Sequence, residues 1–281
     1  MVTVTLLRFF PLIFAAARGH FPTVELLLQH EASIDFKKNA HVPKVMQTSR
    51  RCYWKRVQLF FKQQGLYGST ALHAACYRDD YAIAMILVNS GMAIDFPDKD
   101  GESPLITGAM NHHVSTVESL LLHGATIDFK NNLGCTALLC ASERGYVRVV
   151  QTLPNVDMID HDGDSPLIVA AAEGHALVVK LLIEYNAFVN VANKIGMTAL
   201  FCASLRGHIE VVKLLLDAEA NVDFLGFGAA ALQIACVMGH FKIVKLVVAK
   251  GASTILTHKG GTHYVSLQIL AILKYPNSFQ T

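Results

Sequence analysis

The chain has 281 residues, of which 52% are hydrophobic and 16% charged, with a formal net charge of +2. Its longest uncharged stretch, 224–240, is interrupted by Gly226, Gly228 and Gln233, which argues against a membrane span. A composition this apolar with no such span suits a protein in which many short helices each bury a face against neighbours.

Met1 to Ala17 is apolar and ends in three alanines, as a secretory cleavage site would. No basic residue precedes the apolar run, however, and Arg8 interrupts it. The stretch from Pro11 to His20 also repeats a phrase found downstream, so it is read as the first helix of a repeat. Leu12, Leu72, Leu105, Leu138, Leu167, Leu200 and Leu232 each anchor one copy, at successive intervals of 60, 33, 33, 29, 33 and 32 residues. A period near 33 with two amphipathic stretches and a turn defines one supersecondary unit, stacked along an axis.

The first interval is too long by most of a repeat, which places an insertion at about 37–65. No acid occurs between Asp35 and Asp79. Lys37, Lys38, Lys44, Arg50, Arg51, Lys55, Arg56 and Lys62 lie there among Tyr53, Trp54, Phe60 and Phe61. Without these eight charges the rest of the chain is net −6, so one segment sets the overall sign. Arg50, Arg51, Lys55 and Arg56 are the candidate anion-binding residues, suited to nucleic acid, anionic membrane or a nuclear-import receptor. A plain surface loop, or sequence foreign to the mature protein, are the other readings of this segment.

The third repeat shows the local logic. Ser103 caps a first helix that starts with Pro104 and runs to about Met110. Val114 to Leu122 forms the second helix, with Val117, Leu120 and Leu121 as its buried stripe. Gly124 ends that helix in a left-handed conformation. Ile127 to Phe129 is an extended piece, followed by the turn residues Lys130 to Gly134. In the fourth repeat the 29-residue interval removes about a turn of the second helix, which Pro154 stops. The stack is expected to be weak or bent near Leu153. Apolar residues flank the array at both ends, Val2 to Phe10 and Val265 to Leu273, as atypical caps or as continuations of a longer array.

Thr70-Ala71-Leu72-His73-Ala74-Ala75, the pairs Gly174-His175, Gly207-His208 and Gly239-His240, and Val211-Val212-Lys213-Leu214-Leu215-Leu216 occur in register. This ordered set resembles the ankyrin repeat, over seven copies from about Pro11 to Thr254. The resemblance implies an all-α repeat fold: an ankyrin-type solenoid of stacked helix-turn-helix units with short β-hairpin fingers. It implies a cupped face that binds other proteins and no shared catalytic residue. The expected domains are an N-terminal repeat at 1–36, the insertion at 37–65, six repeats at 66–254 with the fourth shortened near 150–157, and an atypical cap or partial repeat at 255–281.

Residues with chemical potential fit the scaffold. His20, His175, His208 and His240 follow the turn glycine in register and suit turn or cap hydrogen bonds, as does His73. Asp35, Asp95, Asp128, Asp157 and Asp223 recur once per repeat at a finger base. Asp157 to Asp164 is acid-rich but lacks the spacing and closing glutamate of a calcium loop. Of the six cysteines, Cys140 and Cys202 share one register, as do Cys76 and Cys236; Cys52 and Cys135 stand apart. They are read as unpaired thiols in a reducing compartment. No hydrolase, phosphate-loop or zinc-protease motif is present, so the expectation is no enzyme, no cofactor and no metal.

The expected contacts are the exposed ends of first helices and the finger tips. The first group comprises Tyr77, Arg78, Met110, Asn111, Glu143, Arg144, Glu173, Leu205, Arg206 and Met238, together with Ala172 and Val237. The second comprises Lys99, Asp100, Glu102, Asn132, Leu133, His161, Asp162, Asp164, Lys194, Ile195 and Met197. Phe36, Phe96, Phe129 and Phe224 are expected to pack fingers together. The leading function is a cytoplasmic scaffold or adaptor that binds a protein partner of unknown identity, with the nucleus a second location. The alternatives are a phosphate-rich partner on the basic insertion and recruitment of substrates to a modification enzyme. No small-molecule substrate is expected.

Overall fold

The computed structural model describes residues 12–30, 69–153, 155–225 and 230–253. The chain divides into two compact units, the first ending at Ala137 and the second beginning at Leu138. In the first unit, repeat 1 supplies helices at 12–18 and Phe21–Gln29, repeat 2 Ala71–Tyr77 and Tyr81–Asn89, and repeat 3 Pro104–Met110 and Val114–Leu122. In the second, repeat 4 supplies Ala137–Glu143 and Val147–Thr152, the first of which begins one residue before the division. Repeats 5, 6 and 7 follow with Pro166–Glu173 and Ala176–Glu184, Ala199–Arg206 and Ile209–Asp217, and Ala231–Val237 and Phe241–Ala249.

Within each unit, first helices pack on first helices and second helices on second helices, giving two layers. The anchor leucines lie between them, none more than 3% exposed. Each such side chain withdrawn from water stabilises the stack by about 1.5–3 kcal/mol. Despite the 60-residue interval between their anchors, Phe21–Gln29 packs directly on Tyr81–Asn89.

Capping follows the sequence. The side chains of Ser103, Ser165 and Thr198 accept from the backbone N–H three residues on, at 3.2–3.3 Å. Repeat 2 adds a reciprocal contact: His73 Nδ1 accepts from the Thr70 hydroxyl at 2.8 Å, while His73 Nε2 donates to the Glu102 carbonyl at 2.8 Å. Since a carbonyl can only accept, the two contacts fix the ring's tautomer. Repeat 7 has Ala230 in the cap position, and there Gln233 Oε1 takes the Ala230 N–H at 2.8 Å.

Two local expectations need correction. The buried residues of Val114–Leu122 are Thr116, Val117 and Leu120. Leu121 is half-buried, as is Ile183 in the same register of repeat 5, and the inner position is taken by Thr116, which donates its hydroxyl to Asp79 at 2.8 Å. Ile127 and Asp128 form a turn where an extended piece was expected. Among the described residues the fingers are short turns, and Ala192 with Thr198 makes an antiparallel bridge across one of them. The second helix of repeat 4 has 6 residues against 9 in repeats 5, 6 and 7. Its end, Thr152, precedes Pro154 as the sequence requires. No helix among the described residues is long and apolar enough to cross a membrane. The segments 1–11, 37–65 and 255–281 lie outside the described residues, as do Asp35, Phe36 and Cys52.

Candidate partner-binding surface

The histidines at the start of the second helices occupy the cap position, yet their side chains make no cap hydrogen bond. They reach instead to the preceding repeat. His113 Nδ1 donates to the Cys76 carbonyl at 2.7 Å. His175, His208 and His240 donate from Nε2 to the carbonyls of Glu143, Ala172 and Leu205 at 2.9, 3.0 and 3.2 Å. The accepting carbonyls sit at the C-terminal ends of first helices, where the backbone lacks helical partners. The expected turn or cap hydrogen bonds are thus made across repeats, to the ends of the preceding first helices, and they fasten one repeat to the next. His20 occupies the same register in repeat 1 and likewise makes no cap bond.

The fingers are built by a phrase the sequence reading overlooked. Asp98, Asn131, Asp160 and Asn193 each precede a glycine by three residues and a Ser or Thr cap by five. In each, one side-chain oxygen accepts from the backbone N–H two and four residues on, at 2.8–3.2 Å. This Asx turn shapes the fingertip before any partner arrives. Adjacent fingers are tied as well: Asn132 N–H donates to the Asp100 carbonyl at 3.1 Å and Lys194 N–H to that of Asp162 at 2.9 Å. The Lys194 ammonium donates to the His161 carbonyl.

The finger-base acids have structural work. Asp95 accepts from Thr126, Asp157 from the Phe188 N–H and Asp223 from the Ser253 N–H. Within the acidic run, Asp160 closes its own turn and Asp164 accepts from Asn193 Nδ2 at 2.8 Å. Burial raises the Asp164 carboxyl above its ordinary range; the Asn193 bond opposes this, and Asp160 and Asp162 reinforce it. Burial likewise pushes the thiols of Cys202 and Cys236 up to about 11 and that of Cys76 higher still. Thiols so protonated are poor nucleophiles. Phe96, Phe129 and Phe224 are half-buried.

The expected contact residues divide between the units. In the first, Tyr77 and Arg78 are exposed, and Arg78 pairs with Asp80 at 3.1 Å. Met110, Asn111 and Glu102 are half-buried, Lys99 and Asp100 exposed. In the second, Glu143, Arg144, Glu173, Arg206, His161, Asp162 and Lys194 are exposed, and Arg206 reaches Glu173 at 3.3 Å. Leu205 is half-buried, while Val237 and Met238 are 66% and 49% exposed. Arg50, Arg51, Lys55 and Arg56 lie outside the described residues.

A stack of two-helix units locked by bridging histidines and carrying preformed fingers defines a repeat-type recognition scaffold. Family models for ankyrin repeats match residues 51–131, 108–193 and 188–258, and a single-repeat model matches 9–39. The chain belongs to the ankyrin-repeat family, whose repeats generally mediate protein–protein interaction. It is 37% identical to the mouse B-cell lymphoma 3 protein homolog over 108 residues, which is 37% of this chain and 24% of that one. The chain thus spans about a quarter of this relative's length. The solved ankyrin repeat domain of Bcl-3, described as a unique member of the IkappaB protein family, is 25% identical. It superposes with a TM-score of 0.67, covering 74% of this chain and 99% of that domain. An ankyrin repeat domain from Acinetobacter baumannii is 29% identical with a TM-score of 0.61, covering 65% of this chain and 98% of that one.

Proposed function

We propose that this chain is a non-catalytic interaction module, a cytoplasmic or nuclear scaffold or adaptor, whose second unit receives a protein segment. The segment would lie along the exposed ends of first helices and the adjoining fingers. One observation carries this reading. Val237 and Met238 stand 66% and 49% exposed at the end of a helix whose residues Ala231, Leu232, Ala235 and Cys236 are buried. The stack has no use for large apolar side chains there, whereas a partner can desolvate them. Half-buried Leu205 and the Arg206–Glu173 pair continue the surface through repeats 5 and 6. These positions differ in chemistry from copy to copy while the anchor leucine is constant, as a surface fitted to one ligand would.

The test is quantitative affinity purification with mass spectrometry, using the full chain and an Arg144→Glu/Arg206→Glu/Met238→Glu variant. Partners captured by the parent should be depleted at least about tenfold, in line with loss of central contacts. Thermal melting should be unchanged. Retention of every partner by a folded variant would remove this face from consideration.

A further inference from the structure

The second helices of repeats 6 and 7, Ile209–Asp217 and Phe241–Ala249, pack side by side. An open groove of about 870 Å³ runs between them, with Ile209 and Leu246 among its apolar lining. Lys213, Lys242 and Lys245 stand exposed along it. The spacing of Lys242, Lys245, Leu246 and Ala249 puts four of the lining residues on one helix face. Glu210 is the acid in the lining, and it is engaged by Lys213 at 2.8 Å. Among the described residues neither Lys242 nor Lys245 enters an ion pair; Lys245 lies 4.5 Å from the Phe241 ring centroid.

We propose that this groove binds a ligand bearing clustered phosphates on a small framework. Two ammonium groups outside any ion pair among the described residues and a third shared with one carboxylate leave a local excess of positive charge above an apolar floor. Low-dielectric walls focus such a field toward an anion. Lysine serves phosphate as a compact point charge with three donors. Each phosphate monoester also brings about −1.5 to −2 charges, so one phosphate offsets the net excess and a neighbouring phosphate extends the contact along the line of lysines, whereas a single carboxylate leaves half of the excess. The volume falls inside the roughly 300–1,000 Å³ typical of small-ligand sites. This site uses none of the residues proposed for the protein partner, so the two readings stand or fall separately.

Inositol hexakisphosphate and vesicles carrying phosphatidylinositol bisphosphate are the probes, titrated into the full chain at about 0.15 M salt, where long-range attraction is screened. Saturable binding is expected. Lys242→Glu/Lys245→Glu should weaken it by about thirtyfold or more, given the contribution of each lysine near a phosphate surface. Lys242→Arg/Lys245→Arg should retain it. Lys180→Glu supplies the decisive control: Lys180 shares the register of Lys213 and Lys245 one repeat away but does not line the groove. It should change affinity by less than about twofold, being an exposed pair with Glu184. Binding of both probes identifies a lipid headgroup as the source, and binding of the hexakisphosphate alone a soluble ligand. Failure to bind either probe, or an equal loss from Lys180→Glu, overturns the proposal.

Discussion

In repeat 6 the chain turns out of its first helix through Gly207 at φ +82° and leaves its second through Glu219 at φ +60°. Repeat 3 has the opposite arrangement, turning the first corner with His112 at φ +64° and the second with Gly124 at φ +86°. Both repeats bury the same anchor leucine and both bridge to the preceding repeat through a histidine. The left-handed corner is thus required by the architecture, while glycine at that corner is a matter of how much strain the rest of the repeat absorbs. What differs is the surroundings. A Cβ at Gly207 would come within 2.7 Å of the His240 ring, whereas one at Gly124 would meet nothing within 4 Å.

The largest effect should come from Gly207→Ala. The left-handed backbone costs an alanine about 1–2 kcal/mol. Displacing His240 also costs its bond to the Leu205 carbonyl, about 0.5–1.5 kcal/mol. A loss of about 2–3 kcal/mol is expected, read by chemical denaturation together with amide exchange in repeats 6 and 7. Gly124→Ala should cost about 1–2 kcal/mol, the backbone contribution alone. Equal losses at the two glycines would refute the claim that the histidine ring sets the difference.

Next in size are the histidine bridges. His208→Ala removes the bond to the Ala172 carbonyl and leaves that helix end short of a donor; the same holds for His113→Ala and the Cys76 carbonyl. Each should cost about 1–2 kcal/mol. A melting-temperature loss confined to one of them would mean that the ring nitrogen used, Nδ1 in repeat 3 and Nε2 in repeat 6, matters more than the bridge.

The histidines also mark the limit of what the sequence discloses. Caps such as Ser103 and Thr198 are legible because donor and acceptor lie three residues apart, within one helical turn. His208 and its acceptor Ala172 are 36 residues apart, and no local pattern tells which carbonyl a neighbouring repeat presents. The finger turns were legible in principle, since Asp98, Asn131, Asp160 and Asn193 share a fixed offset to glycine and the cap. They were missed because two residue types alternate at the position. The exposed positions at the ends of first helices follow from counting along a helix. The cationic groove does not, because Lys242 and Lys245 have the spacing of any solvated helix face until the adjacent helix is in place.

Glu219 offers a change in the opposite sense. It is exposed and takes a left-handed conformation at the corner where repeats 2, 3 and 7 have Gly91, Gly124 and Gly251. Glu219→Gly relieves that strain at the cost of extra freedom in the unfolded chain, for a net gain of about 0.5–1 kcal/mol. Its backbone carbonyl, which accepts from Asn190 Nδ2, is kept. A decrease in melting temperature would show that the side chain contributes more than its backbone costs.

The smallest effect belongs to Asp164, in the finger entering repeat 5. Its carboxyl is raised above the ordinary value of 3.8, chiefly by burial. Below pH 3.8 the group is protonated in both folded and unfolded chains and carries no penalty. As pH rises, the unfolded chain releases its proton first, so stability falls between 3.8 and the raised folded value and stays lower at neutral pH. Asp164→Asn keeps a carbonyl for the Asn193 Nδ2 donor and removes the titration. The variant should therefore melt slightly higher than the parent at pH 7, with the gap closing near pH 3. A gap that persisted unchanged at low pH would trace the gain to packing, and Asp160 and Asp162 would lose their assigned part in it.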